Sequence, residues 1–196
     1  MKLITLLVTS NTFFLMITPG LGAVIYNESI NGDLSGLFGS PTTLNLTTGA
    51  NTIIAQMGSN GNTGATNGSD ADYFTVTVGS GESLVSITVD SYLFSPNNPG
   101  VSFAGYVAAP VFAGQTAQNI NGSVLFNASS GNILDDFTGG PATLGPGTYS
   151  FWFQETSANL ISYQLTYNLV PEPSSALIGA CSIGLCLASR RRPQTL

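Results

Sequence analysis

Residues 161–169 read ISYQLTYNL, with Ile161, Tyr163, Leu165, Tyr167 and Leu169 at every second position and only polar residues between them. Side chains of an extended chain alternate between two faces, so this stretch has one apolar and one polar face. That pattern predicts a half-buried antiparallel strand, whereas a helix would need apolar residues three and four apart. Working outward, Phe74, Val76 and Val78 alternate with Tyr73, Thr75 and Thr77, and Val85, Ile87 and Val89 alternate with Ser86, Thr88 and Asp90. Residues 148–153, TYSFWF, are apolar on both faces and read as a central strand. Weaker strand patterns occupy 42–46, 51–57, 101–108 and 123–127, and Gly/Asn/Pro/Ser clusters such as GSPT, GSGES, SPNNPG and TGGPATLGPG separate them. No stretch between 24 and 169 carries sustained helical periodicity. Many short strands with such turns predict an all-β domain, a single antiparallel β-sandwich, although a closed barrel leaves the same local signature.

Charge narrows the chemistry. The chain has 4 Lys and Arg and no His, and these are Lys2, Arg190, Arg191 and Arg192, all in the terminal segments. Residues 24–169 therefore carry only carboxylates: Glu28, Asp33, Asp70, Asp72, Glu82, Asp90, Asp135, Asp136 and Glu155. Such a domain cannot neutralise nucleic-acid phosphates, clamp a nucleotide, form a Schiff base or assemble a Ser-His-Asp or Cys-His nucleophile. Nucleic acid is thus not an expected partner. The two cysteines, Cys181 and Cys186, both fall in the tail, so the domain has neither a disulfide nor a thiolate metal site.

Residues 1–23 have a basic start at Lys2, an apolar stretch and then Pro19 with small residues, the anatomy of a signal-peptide helix. A mature start near 23 or 24 is expected, with the β domain over 24–169 and a distinct segment over 170–196. That segment opens with Pro171-Glu172-Pro173, continues through SSALIGACSIGLCLAS at 174–189 and closes with Arg190, Arg191 and Arg192. As a short hydrophobic helix, 174–189 would span roughly 24 Å, less than the ~30 Å hydrocarbon core of a bilayer.

The segment VPEPSS, an apolar run and an Arg cluster, in that order, resembles the PEP-CTERM sorting signal. The resemblance implies export, with signal peptidase and an exosortase as partners during it, and transient retention in the inner membrane through 174–189. It further implies cleavage near the Pro-Glu-Pro motif and a final location at the cell surface or outside the cell. Within the domain, DADYFTVTVG followed by GPGTYSFWF and a Tyr-rich last strand is similar to the bacterial pre-peptidase C-terminal domain. Asp70, Asp72, Tyr73, Phe74, Gly145, Gly147, Thr148, Tyr149 and Tyr163 carry that resemblance, which implies a jelly-roll-like sandwich.

Three chemistries are open to the domain. Asp70 and Asp72, after a loop with Asn60, Asn62 and Asn67, offer hard oxygen ligands of the kind Ca²⁺ takes, and some relatives of the resembled family bind calcium. Asp135 and Asp136 form a second acidic pair; solvated turn carboxylates are the ordinary alternative. A glycoside hydrolase needs two facing carboxylates from among Glu82, Asp90, Asp135, Asp136 and Glu155. A carbohydrate-binding module would stack sugars on exposed rings from among Tyr92, Tyr106, Tyr149, Trp152, Tyr163 and Tyr167. No enzyme activity is expected. The leading expectation is an exported structural or adhesive component of the envelope or of an extracellular polysaccharide matrix.

Overall fold

A computed structural model of the chain describes residues 22–58, 70–95, 100–116, 119–155 and 159–172. The expected signal-peptide helix, the hydrophobic segment 174–189, Pro173 and Arg190–Arg192 lie outside the described residues, as do Asn60, Asn62 and Asn67. The elements run β1 Ala23–Asn27, α1 Glu28–Asn31, β2 Thr42–Leu44, β3 Gly49–Gly58, β4 Ala71–Val78, β5 Glu82–Ser95, β6 Ser102–Val107, β7 Gly122–Phe126, α2 Ile133–Thr138, β8 Gly147–Gln154 and β9 Leu160–Pro171. Among the described residues, no helix is long and apolar enough to cross a membrane.

The strands form two sheets, one ordered β1-β3-β9-β5 and the other β2-β4-β8-β6-β7. Both are mixed, which corrects the expectation of purely antiparallel pairing: β1 runs parallel to β3 and β2 runs parallel to β4. The reason is the route of the chain. Its first four strands alternate between the sheets, so neighbours within a sheet are two strands apart in sequence and point the same way. Strand β9 lies between β3 and β5 and β8 between β4 and β6, so the clearest alternating run and the run apolar on both faces take central places.

Alternation in β9 is kept throughout: Ile161, Tyr163, Leu165, Tyr167 and Leu169 are buried and the residues between them are half-buried. Strand β5 departs from the expected pattern. Register shifts fall between Leu84 and Ser86 and between Val89 and Ser91. Each bulge inserts one residue, Val85 and Asp90, and resets which face the following side chains occupy. Leu84, Ile87 and Tyr92 are therefore the buried residues, and Val85 lies off the core.

One buried cluster takes members from both sheets, among them Ile53, Phe74, Val76, Ile87, Phe151, Phe153, Leu165 and Tyr167. Ring contacts cross from sheet to sheet: Tyr167 of β9 meets Phe151 of β8 at 5.3 Å and Phe74 of β4 at 6.0 Å, both edge-on, and Tyr163 stacks on Phe153 at 5.6 Å. Full burial of each such ring stabilises by about 1.5–3 kcal/mol, with a further ~0.5–1.5 kcal/mol from a well-set aromatic pair. The other face of β4 and β8 is also covered. Ala71, Tyr73 and Phe112 form a second cluster with Trp152 against it, and Thr75 and Ser150 donate to the carbonyls of Pro110 and Ala109 at 2.9 and 2.8 Å.

Both helices escaped the sequence reading because they are only 4 and 6 residues long. Helix α2 buries Ile133, Leu134 and Phe137, and its Asn132 cap accepts from the N–H of Leu134. The segment around it shields the exposed edge of β5, where Leu84 and Leu144 exchange backbone hydrogen bonds of 2.9 and 3.0 Å. An unshielded edge invites pairing with other chains.

Candidate acidic cation site

The site is assembled where the N-terminal segment crosses the start of β4. Strand β1 ends at Asn27, whose side-chain oxygen accepts from the N–H of Ser29 at 3.1 Å, while the Asn27 N–H donates to Asn31 Oδ1 at 2.9 Å. This reciprocal cap starts α1 and sets Glu28 in its first turn. Gly32 follows with φ 90, the left-handed side open to glycine, and the Tyr26 hydroxyl donates to its carbonyl at 2.9 Å. The turn brings Asp33 back toward the sheet, and Leu34, 1% exposed, pins it in the core. Beyond it, the Tyr73 N–H donates to the Ser35 carbonyl at 2.8 Å, tying the segment to β4.

Glu28, Asp33 and Asp72 each present a carboxylate oxygen, and the three atoms lie within 4.8 Å of one another. Ligand oxygens at 2.3–2.6 Å from a shared Ca²⁺ can be no more than about 5 Å apart, so the trio meets that limit. Among the described residues this is the one group of three such acids. Glu28 is held on both oxygens, Oε1 accepting from the N–H of Leu34 at 3.0 Å and Oε2 from the N–H of Gln56 at 2.6 Å. Asp72 is 0% exposed; its Oδ2 accepts from the Tyr163 hydroxyl at 2.6 Å and its Oδ1 has no hydrogen-bond partner. A buried oxygen without a partner is costly unless something binds it. Beside the trio opens a cavity of about 440 Å³ walled in part by Asn27, Gly32, Gln56 and Ser162.

No described residue is a Lys, Arg or His, so among the described residues no cationic side chain stands against the trio. Burial, then Glu28 and Asp70, push the Asp72 carboxyl well above the usual carboxylate range against the opposing pull of Tyr163. Burial drives Glu28 up to about 7, partly countered by the two N–H groups it accepts from. Asp70 is driven to about 7 by burial and then by Asp33 and Glu28, and burial raises Asp33 as well. Four carboxyls that resist ionising together fit a divalent cation, whose charge reverses that penalty. Three carboxylates supply part of the six to eight oxygens Ca²⁺ takes, leaving room for backbone carbonyls and water.

Of the two predicted ligands, Asp72 lies in the trio and Asp70 is buried beside it. Glu28 and Asp33 went unnoticed in the sequence; the available signal was that they are the only charged residues between 24 and 69. Asp135 and Asp136 sit instead in the first turn of α2, where Asp135 Oδ1 accepts from the N–H of Ala142 at 3.3 Å. Among the other acids, Glu82 accepts from Thr48, Asp90 from Thr166 at 2.5 Å, and buried Glu155 from Ser102 at 2.6 Å. The tyrosines are buried or half-buried, and Trp152 lies half-buried against Phe103 at 4.6 Å. Among the described residues, no exposed Tyr or Trp offers a stacking platform. The chain matches no family model, no curated protein and no solved structure.

Proposed function

We propose that the chain is an exported bacterial protein of the PEP-CTERM type, a single jelly-roll-like β-sandwich that serves as a structural or adhesive component of the cell envelope or extracellular polysaccharide matrix. Within that role Glu28, Asp33 and Asp72 hold Ca²⁺, with Asp70 alongside. The observation that carries the cation reading is the buried, unpartnered Oδ1 of Asp72 in the group it forms with Glu28 and Asp33. The sandwich reading is supported by the single core shared between the two sheets and by the rings that meet across it. Sorting is supported by the ordered tail: Pro171-Glu172-Pro173, the apolar run to 189, and Arg190–Arg192. In this reading signal peptidase and an exosortase act in turn, the inner membrane holds the tail transiently, and the domain ends at the cell surface or beyond it.

A thermal melt of the purified chain with added Ca²⁺ or EDTA tests the site. A melting temperature that neither reagent moves removes the cation from the proposal. Export and sorting are checked by fractionating the native host and weighing the mature product, and a product retaining both termini removes that part.

A further inference from the structure

The last strand does not stop where the domain was expected to end. Val170 pairs with Ser83 and Pro171 with Glu82, the Glu172 N–H donates to the Gly81 carbonyl at 2.8 Å, and the Ser83 hydroxyl donates to Glu172 Oε1 at 3.0 Å. Pro171 of the Pro-Glu-Pro motif thus completes β9, and Glu172, just beyond it, stays bonded to Gly81 and Ser83. Proline suits this place for a specific reason. Glu172 directs its N–H toward the β5 side, and successive residues of a strand point their N–H groups to opposite sides. The donor that Pro171 lacks would therefore face β3, whose pairing with β9 ends at Leu169 opposite Gly49.

This placement limits where the tail can be cut. A peptidase takes a peptide segment free of other pairing, and the local openings that expose it depend on the burial and hydrogen bonding of that segment. Cutting the Val170–Pro171 or Pro171–Glu172 bond would mean peeling the end of β9 off β5 and breaking the hydrogen bonds that hold Glu172 to Gly81 and Ser83. Resting on the sorting-signal reading above, we infer that the tail is removed by hydrolysis of a peptide bond C-terminal to Glu172, so that Pro171, the end of the last strand, and Glu172 next to it remain in the mature domain. In that step water adds across the scissile bond: its oxygen goes to the carbonyl carbon, leaving a new carboxylate on the domain, and the nitrogen departs with the tail, protonated. The first two residues of the motif are then kept by the fold.

The test has two arms. In the first, the mature protein is recovered from its native host and its C-terminus read by intact-mass and peptide mass spectrometry. A product that has lost Arg190–Arg192 and ends at Glu172 or later supports the inference. A product that has lost the tail yet ends at Pro171 or earlier overturns it while leaving the sorting reading in place, and a product that keeps Arg190–Arg192 overturns both. In the second arm, the purified full chain is digested with a nonspecific protease. A resistant core ending at or after Glu172 supports the inference without reference to sorting, and a core trimmed back to Leu169 overturns it.

Discussion

The hydroxyl of Tyr163 donates to Asp72 Oδ2 at 2.6 Å, joining an inner strand of one sheet to the start of β4 in the other. Both residues are fully buried, and the bond supports the charged form of a carboxyl that everything else around it disfavours. Tyr163→Phe leaves both oxygens of Asp72 without a partner and costs about 1–3 kcal/mol. The same change weakens Ca²⁺ binding at neutral pH. Chemical denaturation and isothermal titration calorimetry measure the two effects.

Asp72→Asn separates the burden of the buried acid from its use. The amide keeps the size and an oxygen for Tyr163 but has no proton to take up. Without cation the variant is expected to be more stable than the parent at pH 7, by about 1–3 kcal/mol, and its melting temperature no longer responds to Ca²⁺. A variant that keeps the full calcium response contradicts the ligand assignment.

The parent chain at a Ca²⁺ concentration 100-fold above its dissociation constant gains about 2.7 kcal/mol, which for a domain of this size raises Tm by about 5–10 °C. Glu28→Gln and Asp33→Asn remove most of that rise. Asp135→Asn and Asp136→Asn, on α2, leave it intact. Differential scanning calorimetry with and without EDTA gives the comparison.

Acidity should substitute for the cation. Glu28 and Asp70 reach about 7 in the folded chain, above their ordinary values near 4, so between those values the folded state holds protons that the unfolded state has lost. Stability free of cation is therefore full below about pH 4 and falls as the pH rises through about 7, by ~2–4 kcal/mol after discounting for solvent screening. Saturating Ca²⁺ removes the decline. Urea midpoints measured from pH 4 to pH 8, in EDTA and in calcium, show whether the slopes differ.

Gly122 opens β7 beneath α2, and a Cβ placed there lies 2.1 Å from the Phe137 carbonyl oxygen and 2.9 Å from the Tyr106 ring. Gly122→Ala must displace backbone, so it is expected to cost more than the ~1–3 kcal/mol typical of core overpacking in which only side chains shift. Phe153→Ala tests the shared core from inside. The ring is 0% exposed and meets Phe74, Phe126 and Tyr163 at 5.5–5.6 Å, and its loss costs about 3–5 kcal/mol. Equilibrium unfolding in denaturant reports both.

How much was legible follows from how local each signal is. Strands β4 and β9 declare themselves because their alternation is unbroken, and β8 because TYSFWF is apolar on both faces; the burial of β9 repeats its sequence pattern residue by residue. The bulges at Val85 and Asp90 are set by the register of β5 against β9, which no single strand specifies. Parallel pairing of β1 with β3 and of β2 with β4 depends on the chain's path between sheets and leaves no mark on AVIYN or TTL. Helix α2 is shorter than two turns, so its apolar Ile133, Leu134 and Phe137 never form a period. At the site, Asp70 and Asp72 were visible as a pair beside a turn. Their partners Glu28 and Asp33 arrive from a distant segment through the cap of α1 and the left-handed turn at Gly32, a juxtaposition made by folding and not by spacing.

Strand β9 passes Ser162, in the wall beside the acidic group, and ends at Pro171. Those nine steps span about 30 Å at the rise of an extended strand, so the acids and the exit of the tail stand at opposite ends of one continuous element. A pull applied between them runs along β9. The hydrogen bonds to β3 and β5 lie across that direction and bear the load together, in shear, instead of opening one by one. Force between these two ends would thus be carried by the whole of β9 and not by its last pair alone.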